Sequence, residues 1–236
     1  MSLRGIFPID KWDFDTESIL INLPATELEL LMVRHTELDY RKGEIIFKEG
    51  GWPSGIYFIK SGKVKKFKTG SDKKEQIIYV ANSGELIGYH AILADDRYSD
   101  SAAAIEETCL IFIPAADFTT ALNQCPELTK RLLKTLSHEF AVLANSITLY
   151  ARRSVRERLA LQLILLREKY KDNLEAGGKI EINMGRDDLA SLAGTARENV
   201  VRILSELKAE GILESKGRKI VINDVRKLID IANGKR

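Results

Sequence analysis

One fourteen-residue stretch, Gly194-Thr195-Ala196-Arg197-Glu198-Asn199-Val200-Val201-Arg202-Ile203-Leu204-Ser205-Glu206-Leu207, constrains the fold of this chain more than any other. Val200, Ile203, Leu204 and Leu207 fall at i, i+3, i+4 and i+7, the stripe of a helix that rests on a core, while Glu198, Arg202 and Ser205 point the other way. A short helix charged on its free face has the dimensions of a DNA major groove.

The preceding residues strengthen this reading. Residues 186–193 predict a second short helix with Leu189, Leu192 and Ala193 inward and Asp187 and Asp188 in its first turn, where the helix dipole favours negative charge. Gly194 supplies the tight turn between them, and helix, glycine turn and helix over about twenty residues is the helix-turn-helix arrangement. Two readings of Glu198 compete. With Thr195 as the cap, Glu198 folds back to close a capping box; with Ala196 as the cap, it is free to accept a hydrogen bond from a base. The polar face otherwise has no purpose, which favours base reading.

Downstream, residues 213–222 read as two short strands around a glycine turn carrying Lys216, Arg218 and Lys219, a wing whose cations meet phosphates and fix register without reading sequence. An ordinary solvated hairpin is the alternative. Arg186, Thr195 and Ser205 are assigned to phosphate as well. Residues 179–184 alternate as a strand does and are expected to pair with the wing. The charge distribution agrees: residues 151–236 carry 19 Lys and Arg against 13 Asp and Glu, net +6, whereas residues 1–150 carry 17 against 21, net −4. Only the C-terminal part is suited to a polyanion, and its affinity is expected to fall steeply with salt.

Between the halves, Leu133, Leu136, Phe140, Leu143, Ile147 and Tyr150 recur at alternating spacings of three and four, a seam that wants an identical partner helix. The alternative is a helix packed on its own domain, a face that Leu132 and Val142 serve. A dimer is favoured because one recognition helix reads few bases and two read a pair of half-sites about one helical turn apart. Asn145, between seam positions, is expected to help fix register. Residues 151–154 interrupt the seam as a hinge, with Ser154 capping the next helix, 155–170.

The N-terminal half reads differently. After an amphipathic segment at 25–33, β-branched and aromatic runs at 44–48, 56–60, 63–68, 76–80 and 108–113 are punctuated by glycines, the pattern of a small antiparallel barrel or sandwich. No apolar run approaches the twenty residues of a membrane span, and the N-terminus lacks a signal-peptide core, so a cytoplasmic location is expected and no membrane partner. Cys109 and Cys125, sixteen residues apart, offer neither a disulfide scaffold nor metal-ligand spacing, and Cys109 reads as a small core residue. There is no nucleophile and base at recognisable spacing, no phosphate-binding glycine loop before a helix and no metal cluster, so no enzyme is expected.

On Arg197-Glu198-x-x-Val201-Arg202, and on Lys42 to Gly50 followed by Ile56 to Val64, the chain resembles the cyclic-AMP receptor and fumarate-nitrate regulator (CRP/FNR) family of bacterial transcription factors over nearly all its length. The resemblance implies an α+β fold: a cyclic-nucleotide-binding-like double-stranded β-roll sensor over 1–125, a dimerisation helix and hinge over 126–153 and a winged helix-turn-helix over 154–236. It implies a homodimer that binds operator DNA and meets RNA polymerase. Arg197 and Arg202 would donate to guanine and Glu198 would accept from cytosine; Val201, where relatives usually carry glycine or serine, would pack on a thymine methyl. The effector pocket would be lined by Gly88, Tyr89, His90, Ser99, Asp100, Ser101, Leu143 and Ala144. Here the chain departs from nucleotide binders. Tyr89 replaces the glutamate that holds the ribose, Ser99 or Asp100 stands opposite the arginine that holds the cyclic phosphate, and Leu143 and Ala144 replace hydroxyls that meet the base. A carboxylate facing a phosphate at intermediate dielectric costs on the order of 4 kcal/mol, so cyclic AMP is not expected, although Arg97 lies a few residues away. An iron-sulfur cluster needs about four cysteine ligands, and haem would depend on His90 alone. An unidentified small molecule, or no ligand and a constitutive regulator, remains; a cyclic-nucleotide-binding module of a channel or kinase would lack residues 180–222.

Overall fold

The computed structural model describes residues 3, 5–171 and 179–235. The chain forms two compact units, one of Phe14–Lys74 and Ile78–Ala141, the other of Met1–Asp13, Glu75–Ile77 and Val142–Arg236.

The first unit contains α1 (Ala25–Leu31), β1 (Thr36–Tyr40), β2 (Ile45–Phe47), β3 (Gly55–Ser61), β4 (Val64–Thr69), most of β5 (Glu75–Ala81), β6 (Leu86–Ile87), α2 (Tyr89–Leu93), β7 (Ser101–Ala104), β8 (Thr108–Pro114) and α3 (Ala115–Gln124). The strands make two antiparallel four-stranded sheets, ordered β1-β8-β3-β6 and β2-β7-β4-β5. Residues of both sheets, among them Phe47, Tyr57, Ile59, Val64, Tyr79, Ile87 and Leu110, share one core, and Phe47 stacks on Tyr98 with ring centroids 4.1 Å apart. On the other face of the first sheet, Ile56 and Ile113 meet Leu31, Phe118, Leu128 and Leu132. Being covered on both faces, β3 is apolar at consecutive positions, Ile56 to Ile59, rather than alternating.

A long helix, α4 (Pro126–Arg152), begins in this unit and ends in the other. The second unit continues with α5 (Val155–Lys169), β9 (Glu181–Asn183), α6 (Arg186–Ala193), α7 (Arg197–Ala209), β10 (Leu213–Lys216), β11 (Lys219–Ile222) and α8 (Val225–Ala232). Ser154 and Glu157 form the reciprocal capping box that starts α5. Leu159, Leu163, Ile164, Leu189, Leu192, Ile212, Ile220 and Leu228 are buried, and α8, a helix beyond those expected from the sequence, packs on α5. The sheet order β10-β11-β9 pairs residues 181–183 with the wing as expected, with Ile220 opposite Ile182.

Three expectations are corrected. Cys109 is half-buried on β8, its sulfur 3.8 Å from a Glu37 carboxylate oxygen, because the strand period turns Thr108 and Leu110 inward instead; the core thiol is Cys125. Asn145 does not await a partner helix: its Nδ2 donates to the Lys11 carbonyl at 3.0 Å. Tyr150, the last seam position, faces its own subunit, its hydroxyl donating to the Leu192 carbonyl at 2.6 Å and its ring against Gly194. Along the rest of α4, Leu132 and Val142 are buried, Leu136 packs on the β-roll core, and Leu133, Phe140, Leu143 and Ile147 are exposed, Phe140 by 75% and Ile147 by 73%.

Candidate nucleic-acid interface

The turn between α6 and α7 is built by backbone chemistry. Gly194 adopts a left-handed conformation at φ 60°, and an added Cβ would stand 3.0 Å from the Tyr150 ring, so the turn favours glycine. The Thr195 amide donates back to the Ala190 carbonyl at 3.0 Å, closing the end of α6. Arg158 of α5 secures the corner, donating from Nε to the Ala193 carbonyl at 2.9 Å and from Nη2 to the Gly194 carbonyl at 3.1 Å.

Ala196, in extended conformation, is the cap residue of α7 and offers no side-chain oxygen. Thr195 Oγ1 instead accepts from Asn199 Nδ2 at 3.0 Å, so the capping box through Glu198 does not form. Glu198 is exposed together with Arg197, Val201, Arg202 and Ser205, while Val200, Ile203, Leu204 and Leu207 on the opposite side are each at most 2% exposed. The two faces follow from helical period alone. Arg202 Nη1 donates to Glu206 Oε1 at 2.6 Å, and Arg197 lies 3.5 Å from Asp187 of α6.

Around this face lie the residues expected at phosphates. Arg186 is partly buried and its Nη1 has no hydrogen-bond partner; burial and the neighbouring Arg218 guanidinium hold its pKa below the ordinary arginine value. Arg218 is 3.9 Å from Asp188, and Lys219 pairs with Glu181 at 2.7 Å across the wing. Lys216, at the tip of the hairpin, is exposed and makes no ion pair among the described residues. Reading the sequence missed Arg156, which reaches from α5 to Glu206 of α7 and to Glu210, the residue that caps its C-terminal end; pairs some fifty positions apart leave no local pattern.

The residues expected at an effector divide. Gly88 to Ser101 lie in the β-roll unit, whereas Leu143 and Ala144 belong to the other unit and are exposed. Gly88, at φ 85°, starts α2, and Tyr89 is 1% exposed, its hydroxyl donating to Glu139 Oε1 of α4 at 2.7 Å. His90 Nε2 meets Glu139 Oε2 at 2.6 Å. Burial pushes the Glu139 carboxyl up, but the hydrogen bond and charge of His90, with Tyr89 and Lys66, outweigh it and hold it below the ordinary glutamate value. Asp100 pairs with Lys66 at 3.1 Å, Ser101 Oγ accepts from the Glu49 amide at 2.9 Å, and Ser99 is exposed. Arg97, in the same segment, is exposed, its Nη1 donating to the Gly50 carbonyl at 2.8 Å.

Residues 37–125 match the model of the cyclic nucleotide-binding domain, and residues 157–231 match that of the Crp-like helix-turn-helix domain. The chain is 27% identical to the cyclic AMP receptor protein of Thermus thermophilus over 90% of its own length and 95% of that protein, and 27% identical to the anaerobic regulatory protein of Pasteurella multocida over 81% and 70%. The chain belongs to the CRP/FNR family of DNA-binding transcription regulators. A solved CRP/FNR regulator, also from Thermus thermophilus, shares the fold at a TM-score of 0.71 and 24% identity, covering 85% of this chain and 100% of that one. Within this CRP/FNR chain, the matched helix-turn-helix domain holds the exposed face of α7, and the matched nucleotide-binding domain holds Tyr89 and His90, which meet Glu139 of α4. Among the described residues, no helix is long and apolar enough to cross a membrane.

Proposed function

We propose that this CRP/FNR chain regulates transcription as a homodimer whose paired α7 helices read two half-sites of operator DNA. The exposed face of α7, set above four buried apolar side chains, carries the reading. Arg197 and Arg202 donate to guanines, Glu198 accepts from a cytosine and Val201 meets a thymine methyl. Arg186, Thr195, Ser205, Lys216, Arg218 and Lys219 contact phosphates, and RNA polymerase is the further protein partner. The exposed Leu133, Phe140, Leu143 and Ile147 of α4 supply the dimer seam, since leaving that stripe in water would forgo burial worth about 1.5–3 kcal/mol per side chain. Selection of bound duplexes from a random pool, with sedimentation of the complex, tests this: an inverted repeat bound by two chains is expected, and a monomer indifferent to duplex sequence would overturn it.

The signal at the β-roll is not cyclic AMP in this reading. Asp100 is already paired with Lys66, and Tyr89 stands where a ribose-binding carboxylate would be needed. The same internal pairing favours the second reading, a constitutive regulator whose sensor no longer takes a ligand. Thermal-shift screening of the dimer against cyclic nucleotides and other small metabolites separates the two, since a ligand of the folded state raises the midpoint with concentration and a closed sensor shows no shift. If a signal acts, it changes how α4 continues through Tyr150 into the 151–154 elbow, with coupling of about 1–3 kcal/mol.

A further inference from the structure

Arg202 is anchored before it meets any ligand. Glu206, one helical turn along α7, divides its carboxylate between two helices: Oε1 accepts from Arg202 Nη1 at 2.6 Å, and Oε2 accepts from Arg156 Nη1 of α5 at 3.1 Å. Arg156 is in turn held through Nη2 by both oxygens of Glu210 at 2.7 Å. The Arg202 side chain remains 61% exposed, whereas Arg156 is 31% and Glu206 38% exposed.

We propose that Glu206 and Arg156 are positioning residues for base recognition: they hold Arg202 so that discrimination at one base pair depends on two side chains that do not touch DNA. The proposal rests on the reading of Arg202 as a base-contacting residue. An arginine has a large rotamer entropy, and fixing it before binding removes part of that cost from the recognition step. A glutamate at i+4 with both oxygens free can take two N–H groups along one edge of the guanidinium and compete with the base for them. Here Arg156 occupies Oε2, so Arg202 gives up only Nη1, and its Nε and Nη2 make no other hydrogen bond among the described residues. Two donors on adjacent nitrogens are what guanine O6 and N7 accept. The exposed ion pairs are individually weak; their effect is therefore expected in discrimination rather than in folding.

The test uses the full chain and the operator selected by the wild type. Arg202→Ala first identifies the base pair whose preference is lost. Glu206→Ala and Arg156→Met are then compared on the operator, on the operator changed at that base pair, and on random duplex. Each variant is expected to lower the preference at that base pair alone by about two- to fivefold, the factor that one exposed ion pair supplies. Random-duplex binding should be unchanged or tighter for Glu206→Ala, which removes a negative charge, and neither loss should appear when Arg202 is already alanine. Undiminished preference in both variants, or an equal loss in the Arg202→Ala background, overturns the positioning role while leaving Arg202 as a reader. If Arg202→Ala changes no base preference, the underlying reading fails as well. Unchanged thermal midpoints of the variants tie the loss to positioning rather than to a damaged domain.

Discussion

Single side chains divide into those that read and those that hold. Arg202 and Lys216 are both exposed cations of the second unit, yet one sits on the outer face of α7 and the other at the tip of the wing. Arg202→Ala is expected to cost about 1–3 kcal/mol on the selected operator and to relax one base pair, whereas Lys216→Ala should weaken all duplexes alike and flatten the salt dependence by about one unit of slope. Titration against specific and random duplexes at several salt concentrations separates them; equal losses for both variants would contradict the division. Glu139 has a different consequence. Its folded carboxyl is held below the ordinary glutamate value, so its contribution to stability is present above the unfolded pKa of about 4.3 and is lost as pH falls through the depressed folded value. Glu139→Gln should therefore destabilise at neutral pH, with the gap from wild type narrowing as the solution is acidified below that range. Thermal midpoints of both proteins from about pH 7 to about pH 3, which spans the glutamate range, check the sign.

At the level of helices and strands, local chemistry fixes the start of α5 and exposes a stripe on α4. Ser154→Ala removes the oxygen that accepts the Glu157 amide and should cost about 1 kcal/mol of stability, measured by urea unfolding, with a Gly replacement costing less. Ile147→Glu, on a residue 73% exposed in the single chain, should leave the fold intact and shift sedimentation toward monomer; an unchanged dimer would place the seam elsewhere. Elements of this kind were legible wherever one face was apolar and the other polar, as in α6, α7 and the wing, because burial repeats with the helical or strand period. Those defined by other means were not. β7 is Ser-Ala-Ala-Ala, wholly buried but without β-branched residues, β6 is two residues long, and β1 shows mostly polar side chains to solvent. Leu133, Phe140 and Ile147 are exposed on α4, as their heptad spacing leads one to expect, whereas the Tyr150 hydroxyl finds a backbone carbonyl of its own chain that heptad spacing cannot reveal. The surroundings of Tyr89 and His90 were the least legible, because their partner, Glu139, lies about fifty residues further along the chain.

For the molecule as a whole, charge and architecture point the same way. The acidic residues 1–150 and the basic residues 151–236, net −4 and +6, suit the C-terminal part, which holds α7 and the wing, to a polyanion. A dimer is what gives short recognition helices useful discrimination, because two half-sites multiply what one reads. Sedimentation velocity of the full chain with a selected inverted-repeat duplex and with a half-site duplex, at matched ionic strength, probes that claim most directly. The account predicts two chains on one inverted repeat and at least hundredfold weaker binding to the half-site. One chain per duplex, with equal affinity for both, would contradict it.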